Sequence, residues 1–168
     1  MSDLKFFESY NGETTDELLS LEPEFRTDSI VMAFEAAIQL RAEQRRISAE
    51  ERIVLAVEGL EREVNNGGYA QFFTNSSKEF VDVIVDALLA IGCPAAADIT
   101  RQAIKGLNIA GESSAEKAEA AVLSNDEAIL RLLEDCDARF AANSEAIGNQ
   151  LFSWIKSNRR RIKAAEDE

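Results

Sequence analysis

The side chains in this sequence that could do chemistry are overwhelmingly carboxylates: 31 Asp and Glu stand against 18 Lys and Arg, with no His. Without imidazole, Ser-His-Asp and Cys-His nucleophilic arrangements are excluded, as is any His-ligated metal. Cys93 and Cys136 are far apart and form no CxxC pattern, so they read as reduced core thiols rather than as metal ligands. Cys93 directly precedes Pro94, where a helix N-terminus would lower a thiol pKa; with no base to serve it, we assign it no reactive role. Asp135-Cys136-Asp137 comes nearest to a hard-cation loop, but it lacks the Gly and the terminal Glu that such a loop needs. No phosphate-cradling GxxxxGK[ST] or GxGxxG occurs. Carboxylate pairs of the glycosidase kind are so plentiful here that none is singled out. The expectation is a protein that is not an enzyme, with no catalytic residue, no cofactor and no metal.

What the carboxylates can do is present charge. The formal net charge is −13, which repels nucleic acid and anionic membranes, so attractive partners are basic surfaces, including those that other proteins use to hold DNA. The acids are unevenly placed. Residues 1–35 carry nine of them against Lys5 and Arg26, and residues 112–145 carry nine against Lys117, Arg131 and Arg139. The stretch from Arg41 to Arg62 is balanced, and the tail reverses the sign with Lys156, Arg159, Arg160, Arg161 and Lys163. The tail cations suit a helix C-terminus and can pair with acids of the same or a neighbouring chain. We take Asp16, Glu17, Glu22, Glu24, Glu112, Glu116, Glu119, Asp135 and Asp137 as the candidate partner-binding acids. Glu112, Glu116 and Glu119 recur at steps of four and three, which on a helix stands neighbours about 5–6 Å apart. Duplex DNA carries a phosphate about every 3.4 Å along each strand, so carboxylate rows can approach its charge density. A solvated helix face that serves only solubility has the same composition.

The elements that must position these residues are helices. Periodicity and caps predict a short helix over Thr15–Leu21, then one starting at Asp28 or Ser29 with Ile30, Phe34 and Ile38 on one face. Ser48 to Glu51 is a capping box before the stripe Ile53, Val57, Leu60, Val64, and that helix is expected to stop near Asn65. A second box, Ser76 to Glu79, is expected to open an apolar helix ended by Gly92, and Pro94 opens the next. A weakly amphipathic segment reaches Leu123. A third box at Ser124–Glu127 precedes Ile129, Leu132, Leu133, Cys136 and Phe140, all expected to face inward, and Ser144 is expected to cap a last helix bearing Ile147, Leu151, Trp154, Ile155 and Ile162. The prediction is all-α: one domain over residues 1–168 with about seven helices, a core at 28–155, an acidic segment 1–27 and a tail 156–168. The N-terminus lacks the order of a secretory signal, and the longest uncharged apolar stretch, Ala87–Ala97, is far short of a bilayer span. A cytoplasmic protein is expected, with no membrane and no direct nucleic-acid contact.

One motif is more specific. Asn66-Gly67-Gly68-Tyr69-Ala70-Gln71-Phe72-Phe73-Thr74-Asn75 resembles the hallmark of a bacterial DNA-mimic protein family, whose acidic helical surface imitates duplex DNA. Glu61 and Glu63 leading into Val64-Asn65 fit the same pattern, and the resemblance covers roughly residues 28–155. It implies a bundle-like α fold, no cofactor, and, in the DNA-mimic branch, a homodimer occupying the DNA-binding face of a transcription regulator. From the residues themselves, the motif reads as structural. Its glycines let the chain leave the helix, Tyr69, Phe72 and Phe73 plug the core, and Asn66, Gln71 and Asn75 hydrogen-bond loop backbone. The alternative is a non-mimic binding module, an immunity or adaptor protein, reading a peptide at Asn66–Asn75.

Overall fold

The computed structural model describes residues 3–109 and 114–165. Among them the chain is all-α: α1 (Thr15–Ser20), α2 (Thr27–Ala42), α3 (Ala49–Thr74), a 3-10 turn (Ser76–Phe80), α4 (Ile84–Ala90), α5 (Pro94–Gly106), α6 (Ala115–Leu123), α7 (Glu127–Ala141) and α8 (Ile147–Ser157). No strand forms among the described residues; a single backbone bridge joins Lys5 to Phe25. The chain divides into two compact units. One comprises the residues up to 55 with those from 146 onward, the other residues 56–145.

In the first unit α2 packs on α1 and α8, enclosing Leu18, Ile30, Phe34, Ile38, Leu151 and Ile155 without solvent exposure. The segment after α8 is fastened by backbone bonds. Thr15 Oγ1 donates to the Ile162 carbonyl and accepts from Ala164 N–H, both at 3.0 Å, while Tyr10 Oη donates to the Ala164 carbonyl. Arg41 and Glu51 complete this clasp. Glu51 accepts from Arg41 Nη1, from Lys163 N–H and from Ser48 N–H, so the expected Ser48–Glu51 capping box exists and its acid also anchors the tail.

In the second unit α5 packs on α4 and α7, and α6 packs on the 3-10 turn and α7. Three expected starts are corrected. The Ser76 box does not form, because Ser76–Phe80 tightens into a 3-10 turn and α4 begins only at Ile84. The α7 cap is Asp126, whose carboxylate accepts from Ala128 and Ile129 N–H; Ser124 lies outside it. Ser144 does not cap α8, which follows Ala146. In the first unit, to which α8 belongs, α2 likewise starts at Thr27, earlier than expected and without a side-chain cap. A capping box that the sequence reading passed over, Thr14 with Glu17, opens α1.

Candidate partner-binding surface

The Asn66–Asn75 motif sits inside α3. The helix does not stop at Asn65: it kinks at Gly67 (φ −149°, ψ 19°) and Gly68 (φ 76°, ψ −176°) and resumes through Thr74. Gly68 is in the left-handed region that glycine alone tolerates freely. A β-carbon there would also collide with the Asp137 carboxylate. That carboxylate is why the kink holds: Asp137 Oδ1 accepts from Tyr69 N–H at 2.7 Å, capping from α7 the helical segment that restarts after the glycines. Behind the kink Tyr69, Phe72 and Phe73 are fully buried. Tyr69 stacks on Phe73 and meets Phe140 edge-on. Thr100 Oγ1 donates to the Ala96 carbonyl, so the 2.8 Å bond between Tyr69 and Thr100 is donated by the phenol, which burial holds well above its ordinary pKa.

The motif's amide side chains do not bond to loop backbone as expected; Asn66 and Asn75 are exposed and Gln71 is half-buried. They converge on Glu63, only 6 % exposed. Gln71 Nε2 donates to its carboxylate at 2.5 Å, Asn75 Nδ2 at 3.0 Å and Ser77 Oγ at 3.4 Å. Asn66 Nδ2 in turn donates to Gln71 Oε1. No cation reaches Glu63 among the described residues. An acceptor before the kink thus holds two amides and a hydroxyl that follow it, which ties its two arms together. Glu63 was legible only as part of the motif's preamble, because its partners lie 8, 12 and 14 positions on, across a bend that no helical period predicts.

The candidate acids fall into three groups. In the first unit, Asp16 pairs with Arg159, Glu22 with Lys156 and Glu24 with Lys5, while Glu17 serves the α1 capping box. The basic tail therefore neutralises part of the acidic N-terminal segment of its own chain, and Arg161 does the same for Glu50. In the second unit, Glu116 is exposed on α6 with no ion-pair partner among the described residues. Glu119 pairs with Lys78 at 2.7 Å and Asp135 loosely with Arg139 at 3.8 Å. Asp137 is a correction: it is a half-buried cap rather than a surface charge. Glu112 lies outside the described residues. Exposed pairs of this kind contribute about 0–1 kcal/mol each, so a partner's cations can displace them at small cost.

One further carboxylate does structural work that the spacing did not reveal. Glu145 accepts from Ala95 and Ala96 N–H at 2.9 and 2.8 Å, capping α5 where Cys93 cannot. Burial pushes its pKa up, but those two N–H groups and Asn143 outweigh this and hold the carboxyl below its ordinary value. Glu61 is raised by burial. Cys93 does precede α5, yet its thiol is pushed up to about 11 by burial, then by Glu145 and Glu61. Burial also raises Cys136. Both shifts favour the neutral thiol, the reverse of what an activated nucleophile needs.

Among the described residues no group of three or more Cys, Asp and Glu side chains is arranged to hold a metal ion, and no helix is long and apolar enough to cross a membrane. The family model described as DMP19-like protein matches residues 45–158, more than half of the chain. Comparison with curated proteins and with solved structures gives no match.

Proposed function

The chain belongs to the DMP19-like protein family, and on that premise we propose that it is an acidic binding protein that occupies the cationic face of a DNA-binding protein in place of duplex DNA. The observation that carries this reading is where the charge sits. Among the described acids only Glu35, Glu51 and Glu63 are buried, so most of the described carboxylates place their charge at the surface. Such a field steers a cationic partner into encounter and makes affinity fall steeply with salt. A homodimer belongs to the same proposal and would double the field; sedimentation of the purified chain tests it.

The motif is given no recognition role, since Asn66, Gln71 and Asn75 already hold one another and Glu63. On this reading the acidic surface, rather than a peptide-reading pocket at the motif, meets the partner. The test is capture of partners on the immobilised chain, followed by elution with duplex DNA and, separately, with salt. The proposal expects DNA-binding proteins that duplex releases. Partners that do not bind DNA, or that duplex leaves in place, contradict it.

A further inference from the structure

The outer face of α2 is the part of the first unit that its own fold leaves uncovered. A helix at the surface of a globular unit normally has one apolar stripe and one polar face. On α2 the inward side buries Ile30, Val31, Phe34 and Ile38, yet the opposite side is apolar too. Met32 is 51 % and Leu40 55 % exposed, with the small Ala36 between them at helical steps of four. Phe6, 47 % exposed, stands along the same face. Two hollows run beside this stripe, of about 330 and 410 Å³. They share Tyr10 and Leu40 as walls, so they adjoin along the stripe; together they are termed the α2 groove.

The charge around the groove indicates what would cover it. Its nearby cations are already engaged: Arg41 is held by Glu51, and Arg26, over the Phe6 ring, by Asp28. Its acids are not. Glu8 lines the groove and Glu43 follows Leu40 by one helical step; both are exposed and neither has a partner among the described residues. A second copy would bring another −13 chain against this rim, whereas a cationic helix would meet unpaired carboxylates. We propose that the α2 groove is a docking site for an amphipathic helix with an apolar stripe and a cationic flank. Its apolar residues seat beside Met32 and Leu40 over the Ala36 floor, in the helix-in-groove mode. This rests on the reading of the partner as a basic protein, and adds an apolar anchor to it.

The experiment uses the full chain and three synthetic helical peptides of equal length: Leu stripe with Lys flank, Leu stripe with Glu flank, and Gln stripe with Lys flank. Binding is measured by fluorescence anisotropy for wild type, Met32→Gln and Leu40→Gln, with circular dichroism confirming that each variant is folded. The expected result is that the Leu/Lys peptide binds wild type at least about tenfold more tightly than either control, and that each variant loses about tenfold, as removal of a buried apolar anchor does. Equal binding of the Leu/Lys and Gln/Lys peptides, or variants without effect, overturns the proposal. So does a wild-type dimer that the two substitutions convert to monomer, since the groove would then hold a second copy. A natural partner that duplex DNA displaces but that ignores both substitutions overturns the groove and leaves the DNA-mimic reading standing. One that needs the groove yet is not displaced by DNA does the reverse.

Discussion

Glu63 and Asp137 show how much of this protein's structure rests on single carboxylates whose roles are internal. Glu63 is the shared acceptor of Gln71, Asn75 and Ser77. Removing it strands the buried Ser77 hydroxyl and the half-buried Gln71 amide, while the exposed Asn75 amide can turn to water, and a stranded buried group costs about 1–3 kcal/mol before relaxation. Glu63→Ala is therefore expected to lower stability by about 2–4 kcal/mol in urea unfolding, with Glu63→Gln recovering part of the loss because its amide keeps one acceptor. Three other acids set the pH response. Burial raises Glu61 and Asp137 above their ordinary carboxyl values, with the Tyr69 N–H opposing the shift at Asp137. A carboxyl with a raised folded pKa binds its proton more tightly folded than unfolded, so it weakens the fold at neutral pH, and stability grows as pH falls through that raised value. Glu145 is lowered and works the other way. Its contribution is intact above the unfolded carboxyl value of about 4.3 and lost as pH drops through the folded one. The unfolding midpoint should thus rise as pH falls from neutral through the raised Glu61 and Asp137 values and drop again below the ordinary carboxyl range of about 4, with Glu61→Gln raising the pH 7 midpoint and flattening the rise. A midpoint that falls steadily from pH 7 downward, unchanged by Glu61→Gln, would contradict this assignment.

At the scale of elements, the kink in α3 is the feature on which the motif depends. Gly68→Ala places a side chain in the left-handed region and against the Asp137 carboxylate, so it should cost about 2 kcal/mol or more in chemical denaturation. A neutral Gly68→Ala would mean that the bend and its cap are not as described. The sequence showed that something turns at Asn65–Gly68 but placed a helix end there, because a Gly-Gly pair is the usual stop signal. What it could not show is that Asp137, nearly 70 positions on, caps the restart. The same limit explains the other misplaced starts. Ser76 and Ser124 have the residue types of capping boxes, but neighbouring packing and Asp126 decided the ends. Where the signal was local and the competition weak, as at Ser48–Glu51 and Pro94, the boundaries were legible. The apolar stripes of α7 and α8 were largely legible for the same reason: Leu133, Cys136, Phe140, Leu151 and Ile155 face inward, while Leu132, expected to join them, is 36 % exposed.

For the whole molecule, composition announced the acidity but not its internal partners. Lys156, Arg159 and Arg161 reach Glu22, Asp16 and Glu50, so several carboxylates proposed to meet a partner already meet the chain's own tail. Sequence spacing had no access to this, since each pair spans more than 100 positions. These pairs are exposed and weak, and a partner with a denser cationic face would exchange with them, whereas Glu116 and Glu8 offer charge without any such exchange. The central claim is that the protein takes the place of DNA on a partner, and its most direct test is mutual exclusion. A captured DNA-binding partner is mixed with its duplex and with increasing amounts of this protein, and the species are resolved by sedimentation. The account predicts that duplex leaves the partner as the protein is added, with no complex containing all three. A stable ternary complex, with duplex and acidic protein bound to the partner together, would contradict it.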